Sequence, residues 1–346
     1  MTSARNSSPA SSTAARAAYL VLGMHRSGTS ALTQVLALAG AHLPQAVMPG
    51  DEHNARGYFE PWRIAVFNDR RLRAGGGAWD DPFAYPYVAT EDEAAWETEA
   101  QSLFRNEYGR ARYPLLKDPR VSILMPLWRP VLEAEGLELR CIIPIRTPLA
   151  VAGSLGRRDQ FPDEKSVLLW ISYMLGAESG SFGLPRAFVD YDRLLIDWRG
   201  EVAKMEAALG SALPRLSARA AERIDGFLSA ELRHNAGAGD LAALGEIGRT
   251  AERVEAWFRS TAADENPSRE PLEAAGALLV ELKRRMGSFV SPVTRALDLA
   301  KSQLAEARGL RDLEAAARRE AEAEIAKLRL ERQLAEAELD EVLSRI

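Results

Sequence analysis

The sequence predicts an α/β fold, in which a parallel β-sheet is flanked by helices and followed by a helical C-terminal extension. Short apolar runs alternate with longer helical patterns over residues 17–209, and this alternation is typical of a parallel sheet. Apolar residues continue almost unbroken through 139–146, as in a strand that is covered on both faces. From about residue 217 the composition shifts to helix-forming residues, which favours the extension.

The individual elements follow from the spacing of apolar residues and from glycine and proline breaks. We predict strands at 17–22, 113–116, 139–146 and 186–192. We predict helices at 31–39, 63–73, 91–108, 123–132, 149–157, 166–175 and 198–209. After the shift in composition, further helices are expected at 219–230, 241–261 and 272–286.

Four segments are expected along the chain. Residues 1–16 are poor in bulky apolar groups and lack the hydrophobic stretch of a signal peptide, so we expect a disordered tail. The α/β domain is expected at 17–235, a helical extension at 236–292 and a coiled coil at 293–346.

The coiled-coil prediction rests on interrupted heptads. A first apolar seam consists of Leu297, Ala300, Leu304 and Ala307. A second seam in another phase begins at Ile325 and ends at Ile346, with Arg332 at a seam position that weakens it. The pattern predicts a homo-oligomer formed through this segment. The alternative is a single solvated helix with charges on all sides.

Composition excludes several classes of protein. The chain has 346 residues and a net charge of −5, so no overall basic field favours nucleic acid. The one cysteine, Cys141, lies in an apolar run and is expected to be a buried thiol, and four scattered histidines offer no metal-ligand spacing. No run approaches the roughly 20 apolar residues of a membrane span. We therefore expect a soluble, cytoplasmic protein without a metal site.

The most informative motif lies between the first predicted strand and helix. The run Gly23–Ser30 has the pattern G-x-x-x-x-G-T-S, close to the phosphate-binding loop G-x-x-x-x-G-K-[ST]. Thr29 occupies the lysine position, and Arg26 is the cation of the loop. The loop is therefore suited to a phosphate group but poorly suited to ATP–magnesium chemistry. The alternative is a glycine turn between a core strand and a helix.

Two further cations follow predicted strands. Lys117 begins the segment Lys117–Arg120 after the second strand, and Arg146 follows the third, with Ser154 eight residues later on the next helix. Ligands of parallel sheets bind at the carboxyl ends of strands, so these groups are expected near the Gly23–Ser30 loop. Arg146 and Ser154 could bind one phosphate group from two sides. The alternative for Arg146 is an ordinary strand terminus at the surface.

These three segments, in this order, resemble the sulfotransferases that use 3′-phosphoadenosine-5′-phosphosulfate (PAPS). The resemblance covers about residues 18–235. It is greatest for a bacterial branch whose members have Gly-Tyr-Phe-Glu, Trp-Asp-Asp-Pro and Lys-Asp-Pro-Arg segments. Residues 232–234 also resemble that branch. It implies a metal-independent, PAPS-binding α/β fold. The implied donor-binding residues are Gly23, His25, Arg26, Ser27, Gly28, Thr29, Ser30, Arg146 and Ser154. The C-terminal glycine-lysine cofactor loop of the cytosolic enzymes has no counterpart.

The implied reaction moves a sulfuryl group in line from PAPS to a hydroxyl or amine of an acceptor, such as a carbohydrate or another small metabolite. Arg26 and Lys117 would stabilise the developing charge. The cytosolic enzymes have a histidine base where this chain has Pro119, so we expect a carboxylate base. We expect His25 to be protonated and to interact with the bound anion rather than to act as the base.

Our choice for the base is Glu60, since glycan sulfotransferases that lack the histidine also take a glutamate from the segment after the phosphate loop. Asp118, Glu52 and His53 remain alternatives, and Glu60 could instead cap the helix that Pro61 opens.

Two other functions remain open at this point. One is a nucleotide kinase on a related phosphate-loop fold, against which the missing loop lysine argues. The other is a non-catalytic scaffold that acts through its C-terminal segment. The sequence identifies neither the acceptor nor the oligomeric state.

Overall fold

The computed structural model describes residues 16–48, 57–228 and 239–343. Contacts divide the chain into two compact units, Met1–Arg295 and Ala296–Ile346. The predicted fold class is confirmed, because the described residues form a parallel sheet flanked by helices and end in a long helix. The predicted tail falls almost entirely on 1–15, which lies outside the described residues.

The sheet of the described chain has four parallel strands in the order β2-β1-β3-β4. The strands are β1 (Arg16–Val21), β2 (Leu115–Lys117), β3 (Leu137–Ile145) and β4 (Arg186–Asp190). Val21 at the end of β1 is in register with Lys117 on one side and Ile142 on the other. The segments that follow β1, β2 and β3 therefore leave the sheet at one edge, as the sequence predicts.

The helices agree with the predicted order. They are α1 (Thr29–Leu38), α2 (Trp62–Ala74), α3 (Glu93–Tyr108), α4 (Val121–Ala134), α5 (Pro148–Asp159), α6 (Asp163–Ser181), α7 (Tyr191–Ile196), α8 (Trp198–Leu209), α9 (Ala218–Phe227), α10 (Gly245–Ala262) and α11 (Glu270–Leu343). A 3₁₀ turn at Leu241–Leu244 precedes α10. Within the described residues, no helix combines the length and apolar composition that crossing a bilayer requires.

Two predicted boundaries are wrong. The fourth strand stops at Asp190 rather than 192, because the Asp190 carboxylate accepts hydrogen bonds from the backbone N–H groups of Asp192 and Arg193 and caps α7. The predicted helix 272–286 and the segment from 293 are one helix, α11, which continues through Pro292. Helix α4 likewise contains Pro126 and Pro130, so a proline is a weak guide to helix ends in this chain.

The two faces of the sheet bury separate apolar clusters, since successive side chains of a strand point to opposite faces. Leu20 faces a cluster shared with α4 and α6, and Tyr19 faces one shared with α1 and α8. Trp257 of α10 and Leu272 of α11 belong to the first cluster, so helices of the predicted extension contribute to this core. Cys141 is buried as predicted, and burial raises the pKa of its thiol to about 12.

Helices α4 and α6 approach closely at two glycines. A Cβ atom at Gly176 would lie 2.7 Å from the carbonyl oxygen of Ser122, and one at Gly180 would lie 2.4 Å from Cβ of Met125. Since Ser122 is on the first turn of α4, this approach fixes the helix that follows Lys117–Arg120 against the core. The two glycines therefore affect the position of residues 117–120 indirectly, through the packing of α4 against α6.

We expect Gly176→Ala to lower the free energy of unfolding by about 1–3 kcal/mol, because the new methyl group meets backbone that cannot move aside without separating two helices. The matched control is Gly276→Ala in α11, where a Cβ meets nothing within 4 Å. That change should stabilise the protein by up to about 1 kcal/mol through helix propensity. Urea unfolding of both variants measures the difference. Equal effects would show that the close approach is unimportant.

Candidate functional site

The loop between β1 and α1 is shaped by three residues with positive φ. They are Gly23 (φ 134°), Arg26 (φ 68°) and Gly28 (φ 88°). Glycine is required at position 28, since a Cβ atom there would lie 2.1 Å from Cδ2 of Tyr191. Helix α1 begins at the next residue without a side-chain cap. The loop thus presents a helix N-terminus of the kind that binds anions.

Arg26, Arg146 and Ser154 meet on one side of this loop. Nε of Arg26 donates a hydrogen bond to Oγ of Ser154 at 2.8 Å, and Nη1 of Arg146 donates to the carbonyl oxygen of Arg26 at 2.8 Å. The guanidinium of Arg146 also lies over the Tyr191 ring, 4.9 Å from its centroid. The structure therefore brings together the ends of β1 and β3, as the strand order predicts.

The positive charges on this side are concentrated. Burial and then the nearby Arg158 lower the pKa of the Arg26 guanidinium, with a smaller contribution from Arg146. Burial is also the main cause that lowers the pKa of Arg146. Both shifts have the sign expected of buried cations that lie near other cations. An anionic ligand at this position would relieve both effects.

Lys117 reaches the other side of the loop from the end of β2. Its Nζ atom donates to Oε1 of Glu60 at 2.6 Å and to the carbonyl oxygen of Tyr58 at 2.9 Å, and it lies 3.5 Å from Oγ of Ser30. Lys117 and Glu60 are both buried. Phe59 separates the two acceptors and has φ of 58°, a left-handed conformation that costs about 1–3 kcal/mol outside glycine. The segment 58–60 is thus held around the ammonium group of Lys117.

Asp118 belongs to a buried network rather than to an open surface. Its Oδ2 accepts from Nδ2 of Asn68 at 2.8 Å, and its Oδ1 accepts from the backbone N–H and from Nη1 of Arg120, the latter at 2.8 Å. Arg120 also bonds to Asp69 and lies 3.6 Å from Oε2 of Glu60. Burial opposes the charge of Arg120, but Asp118, Asp69 and Glu60 outweigh it and raise its pKa well above the usual value. These contacts support a positioning role for Asp118.

His25 differs from its predicted protonation state. The imidazole is 8% exposed and packs between Trp79 and Tyr173, with ring centroids 4.9 Å and 5.8 Å away. Burial lowers the pKa of His25 well below its usual value, and the surrounding cations, Arg120 foremost, lower it further. This direction favours a neutral imidazole at pH 7, contrary to the expectation of a protonated His25. Its Nε2 atom has no hydrogen-bond partner among the described residues.

Two residues of the site were missed by the sequence analysis. Tyr191 covers Gly28 and lies under Arg146, and Arg158 adds charge beside Arg26. The cap at Asp190 could have indicated that the chain turns at Tyr191. The alternative bases Glu52 and His53, and the segment 232–234, lie outside the described residues. In the described part of the chain, no group of three or more His, Cys, Asp or Glu side chains could hold a metal ion.

Comparison with known proteins gave structural similarities only. No family model matches this chain, and no curated protein matches it. Among solved structures, the chain is similar to the sulfotransferase domain of the curacin biosynthetic pathway, with a TM-score of 0.35 and 15% identity over 57% of this chain and 74% of that one.

Two further solved structures are similar at the same level. The sulfotransferase domain of the Synechococcus PCC 7002 olefin synthase has a TM-score of 0.39 and 16% identity, over 77% of this chain and 94% of that one. A sulfotransferase from Mycobacterium tuberculosis H37Rv has a TM-score of 0.38 and 15% identity, over 71% of this chain and 77% of that one.

The buried neutral His25 predicts a loss of stability in acid. Below about pH 6.5 the unfolded chain binds a proton on this imidazole, whereas the folded chain does so only below its own, lower pKa. The unfolded state therefore binds more protons in this window, and the free energy of unfolding falls as pH falls, by at most about 1.4 kcal/mol per pH unit. The loss stops once pH falls below the folded pKa.

Urea unfolding of the wild type and of His25→Gln between pH 7.5 and 5 tests this prediction. The variant should lose less stability than the wild type over the acidic part of the range, whatever its stability at pH 7.5. His42→Gln, at an exposed histidine, is the control variant. A His25→Gln slope identical to that of the wild type would contradict the prediction.

Proposed function

We propose that the chain is a sulfotransferase that transfers the sulfuryl group of PAPS to a hydroxyl or amine of an acceptor. One observation carries the proposal. A glycine-bounded loop is flanked by two separate groups of cations and hydroxyls, Arg26 with Arg146 and Ser154 on one side and Lys117 with Ser30 on the other. PAPS carries anionic groups at both its 5′ and 3′ positions, so two anion sites beside one loop suit it.

The residues of the loop fit such a ligand. The hydroxyl of Ser27 and Nε2 of His25 are buried without hydrogen-bond partners among the described residues, and a phosphate-bearing ligand offers acceptors to such donors. The Gly23–Ser30 loop would hold the 5′-phosphosulfate, and Arg146 with Ser154 would hold the 3′-phosphate. The lowered pKa values of Arg26 and Arg146 support an anion at this position.

The residues of the proposed site have separate roles in the reaction. PAPS supplies the activated sulfuryl group. Lys117 and the N–H groups at the start of α1 are suited to stabilise negative charge on oxygen, because they lie in a buried region where such interactions are strong. Glu60 is the proposed base and accepts the proton of the acceptor on its carboxylate. Its contact with Lys117, at 2.6 Å, holds the carboxylate beside the group that stabilises the charge.

The contacts disfavour the kinase alternative. Asp118 would have to bind magnesium, yet both of its oxygens accept hydrogen bonds from Asn68 and Arg120. The loop has Thr29 at the position of the nucleotide-binding lysine. For the acceptor, a carbohydrate or another small metabolite remains our proposal. Incubation with PAPS and a mixture of glycans and polar metabolites, followed by mass spectrometry, would identify a sulfated product.

The proposed donor site predicts a selective effect of Arg146→Ala. Binding of 3′-phosphoadenosine 5′-phosphate, the proposed product, should weaken by about 1.5–3 kcal/mol, the scale of a hydrogen bond to a charged group. Binding of adenosine 5′-monophosphate, which lacks the 3′-phosphate, should change little. Isothermal titration calorimetry without metal measures both. The control is Arg157→Ala, an exposed arginine on the same helix α5. Equal losses for the two nucleotides would refute the assignment of the 3′-phosphate.

The proposed base predicts that Glu60→Gln keeps the affinity for the product nucleotide but loses turnover. The amide is nearly the same size and cannot take up the proton, so sulfation of the identified acceptor should fall on the order of 100- to 10,000-fold. Asp118→Asn is the comparison, since its carboxylate is also buried and accepts a hydrogen bond from Arg120. If Glu60→Gln retains turnover and Asp118→Asn abolishes it without loss of nucleotide binding, the base is Asp118.

We also propose that the unit Ala296–Ile346 forms a coiled coil with a second copy of the chain. Large apolar side chains are exposed along it, among them Leu297, Leu304, Leu310, Ile325 and Leu328. Exposed apolar stripes on a charged helix favour self-association. Truncation after Arg295, where the first compact unit ends, should lower the oligomeric state in light scattering and leave nucleotide affinity unchanged. A full-length monomer at micromolar concentration would contradict this proposal.

A further inference from the structure

Helix α10 contacts the end of β4 through an ion pair. Nη1 of Arg259 donates a hydrogen bond to Oδ2 of Asp190 at 2.6 Å. Nε of the same guanidinium donates to Oε1 of Glu255, one turn earlier on α10, at 2.8 Å. Helix α10 lies in the segment 236–292, which the sequence analysis assigns to a helical extension. The ion pair therefore joins the extension to the sheet.

The two carboxylate oxygens of Asp190 have different partners. Oδ1 accepts hydrogen bonds from the backbone N–H groups of Asp192 and Arg193, at 2.9 Å and 3.0 Å, and so caps α7. Oδ2 accepts the hydrogen bond from Arg259. The carboxylate is thus held between the first turn of α7 and α10, and its orientation determines where α7 begins.

Tyr191, the first residue of α7, connects this cap to the candidate site. Its ring is 4% exposed and packs against the position that a Cβ atom of Gly28 would occupy. The guanidinium of Arg146 lies over the same ring, 4.9 Å from its centroid. Gly28 is also held by Leu32, whose N–H donates to its carbonyl oxygen at 3.1 Å. A shift of the first turn of α7 would therefore displace the Arg146 side chain more than the loop.

The charges at the start of α7 act on both arginines. Burial lowers the pKa of Arg146, whereas Tyr191 and then Asp192 act in the opposite direction. Burial also opposes the charge of Arg259, but Glu255, Asp190 and Asp192 outweigh it and raise its pKa. Asp192 therefore lies near both cations. Without Arg259, the carboxylates at the start of α7 would have less positive charge around them and would attract Arg146 more strongly.

Helix α10 does not need this ion pair to stay in place. Trp257 and Phe258 of α10 are buried in the core, and their rings contact Phe188 of β4 with centroids 6.1 Å and 5.6 Å away. A partly exposed ion pair adds little to such packing. The contact therefore matters most for Asp190 and for α7, which is only six residues long.

We propose that Arg259 is a positioning residue of the 3′-phosphate site and acts on Arg146 through Asp190 and Tyr191. The inference rests on the proposed function, because Arg146 is the group assigned there to the 3′-phosphate. Arg259 itself bonds to carboxylates of the chain and not to the donor. Donor binding then depends on α10 as well as on the loop and the sheet.

Isothermal titration calorimetry of the full-length protein tests this proposal. Arg259→Met keeps the apolar stem but loses the charge, so affinity for 3′-phosphoadenosine 5′-phosphate should fall about three- to tenfold, the scale of a partly buried ion pair. Affinity for adenosine 5′-monophosphate, which lacks the 3′-phosphate, should fall less. Arg259→Lys keeps the charge and should restore most of the affinity. The control is Arg253→Met, at an exposed arginine of α10, which should change affinity by less than about twofold.

A double-mutant cycle separates positioning from a general loss of stability. Asp190→Asn keeps an oxygen that caps α7 but loses the charge to which Arg259 bonds. This variant should weaken nucleotide binding by about the same factor as Arg259→Met, and the double variant should bind no more weakly than either single variant. Urea unfolding of each variant shows that it is folded at the temperature of the titration. Asp190→Asn decides the question even if Arg259→Met does not fold.

Three results would overturn the proposal: losses that multiply in the double variant, equal losses for the two nucleotides, or the same loss in Arg253→Met. The titration of the wild type distinguishes this inference from the proposed function. A wild type that does not bind 3′-phosphoadenosine 5′-phosphate would refute both. A wild type that binds it, beside an Arg259→Met variant of unchanged affinity, would refute the role of Arg259 alone.

Discussion

The structure depends on the pairing of two buried cations that lie at one edge of the sheet. Lys117 and Arg120 are almost fully buried, and a buried charge is tolerated only when it is paired and hydrogen-bonded. Their partners come from different parts of the chain: Glu60 precedes α2, and Asp69 lies within it. Because removing one partner of a buried pair costs about 3–5 kcal/mol, these contacts hold the start of α2 to the end of β2 and to α4. The segment that carries Glu60 is thereby fixed beside the Gly23–Ser30 loop.

The two sides of the loop differ in how their charge is balanced. On the Lys117 side, the carboxylates of Glu60, Asp118 and Asp69 lie within bonding distance of Lys117 or Arg120. On the other side, Arg26 and Arg146 bond to a hydroxyl and to a carbonyl oxygen, and their pKa values are lowered. The Lys117 side is therefore held by ion pairs that join distant parts of the chain.

The sequence was sufficient to predict the features that depend on local pattern. Strand ends, the glycine loop and the spacing from Arg146 to Ser154 are properties of short segments, and the structure brings those residues together. The features that were missed depend on burial and on distant partners. The pKa of His25 is lowered because the side chain is buried against Trp79 and Tyr173 and because cations from other segments lie nearby. Gly28 is required because Tyr191 packs on it. The continuity of α11 through Pro292 was also missed, because a proline does not end every helix.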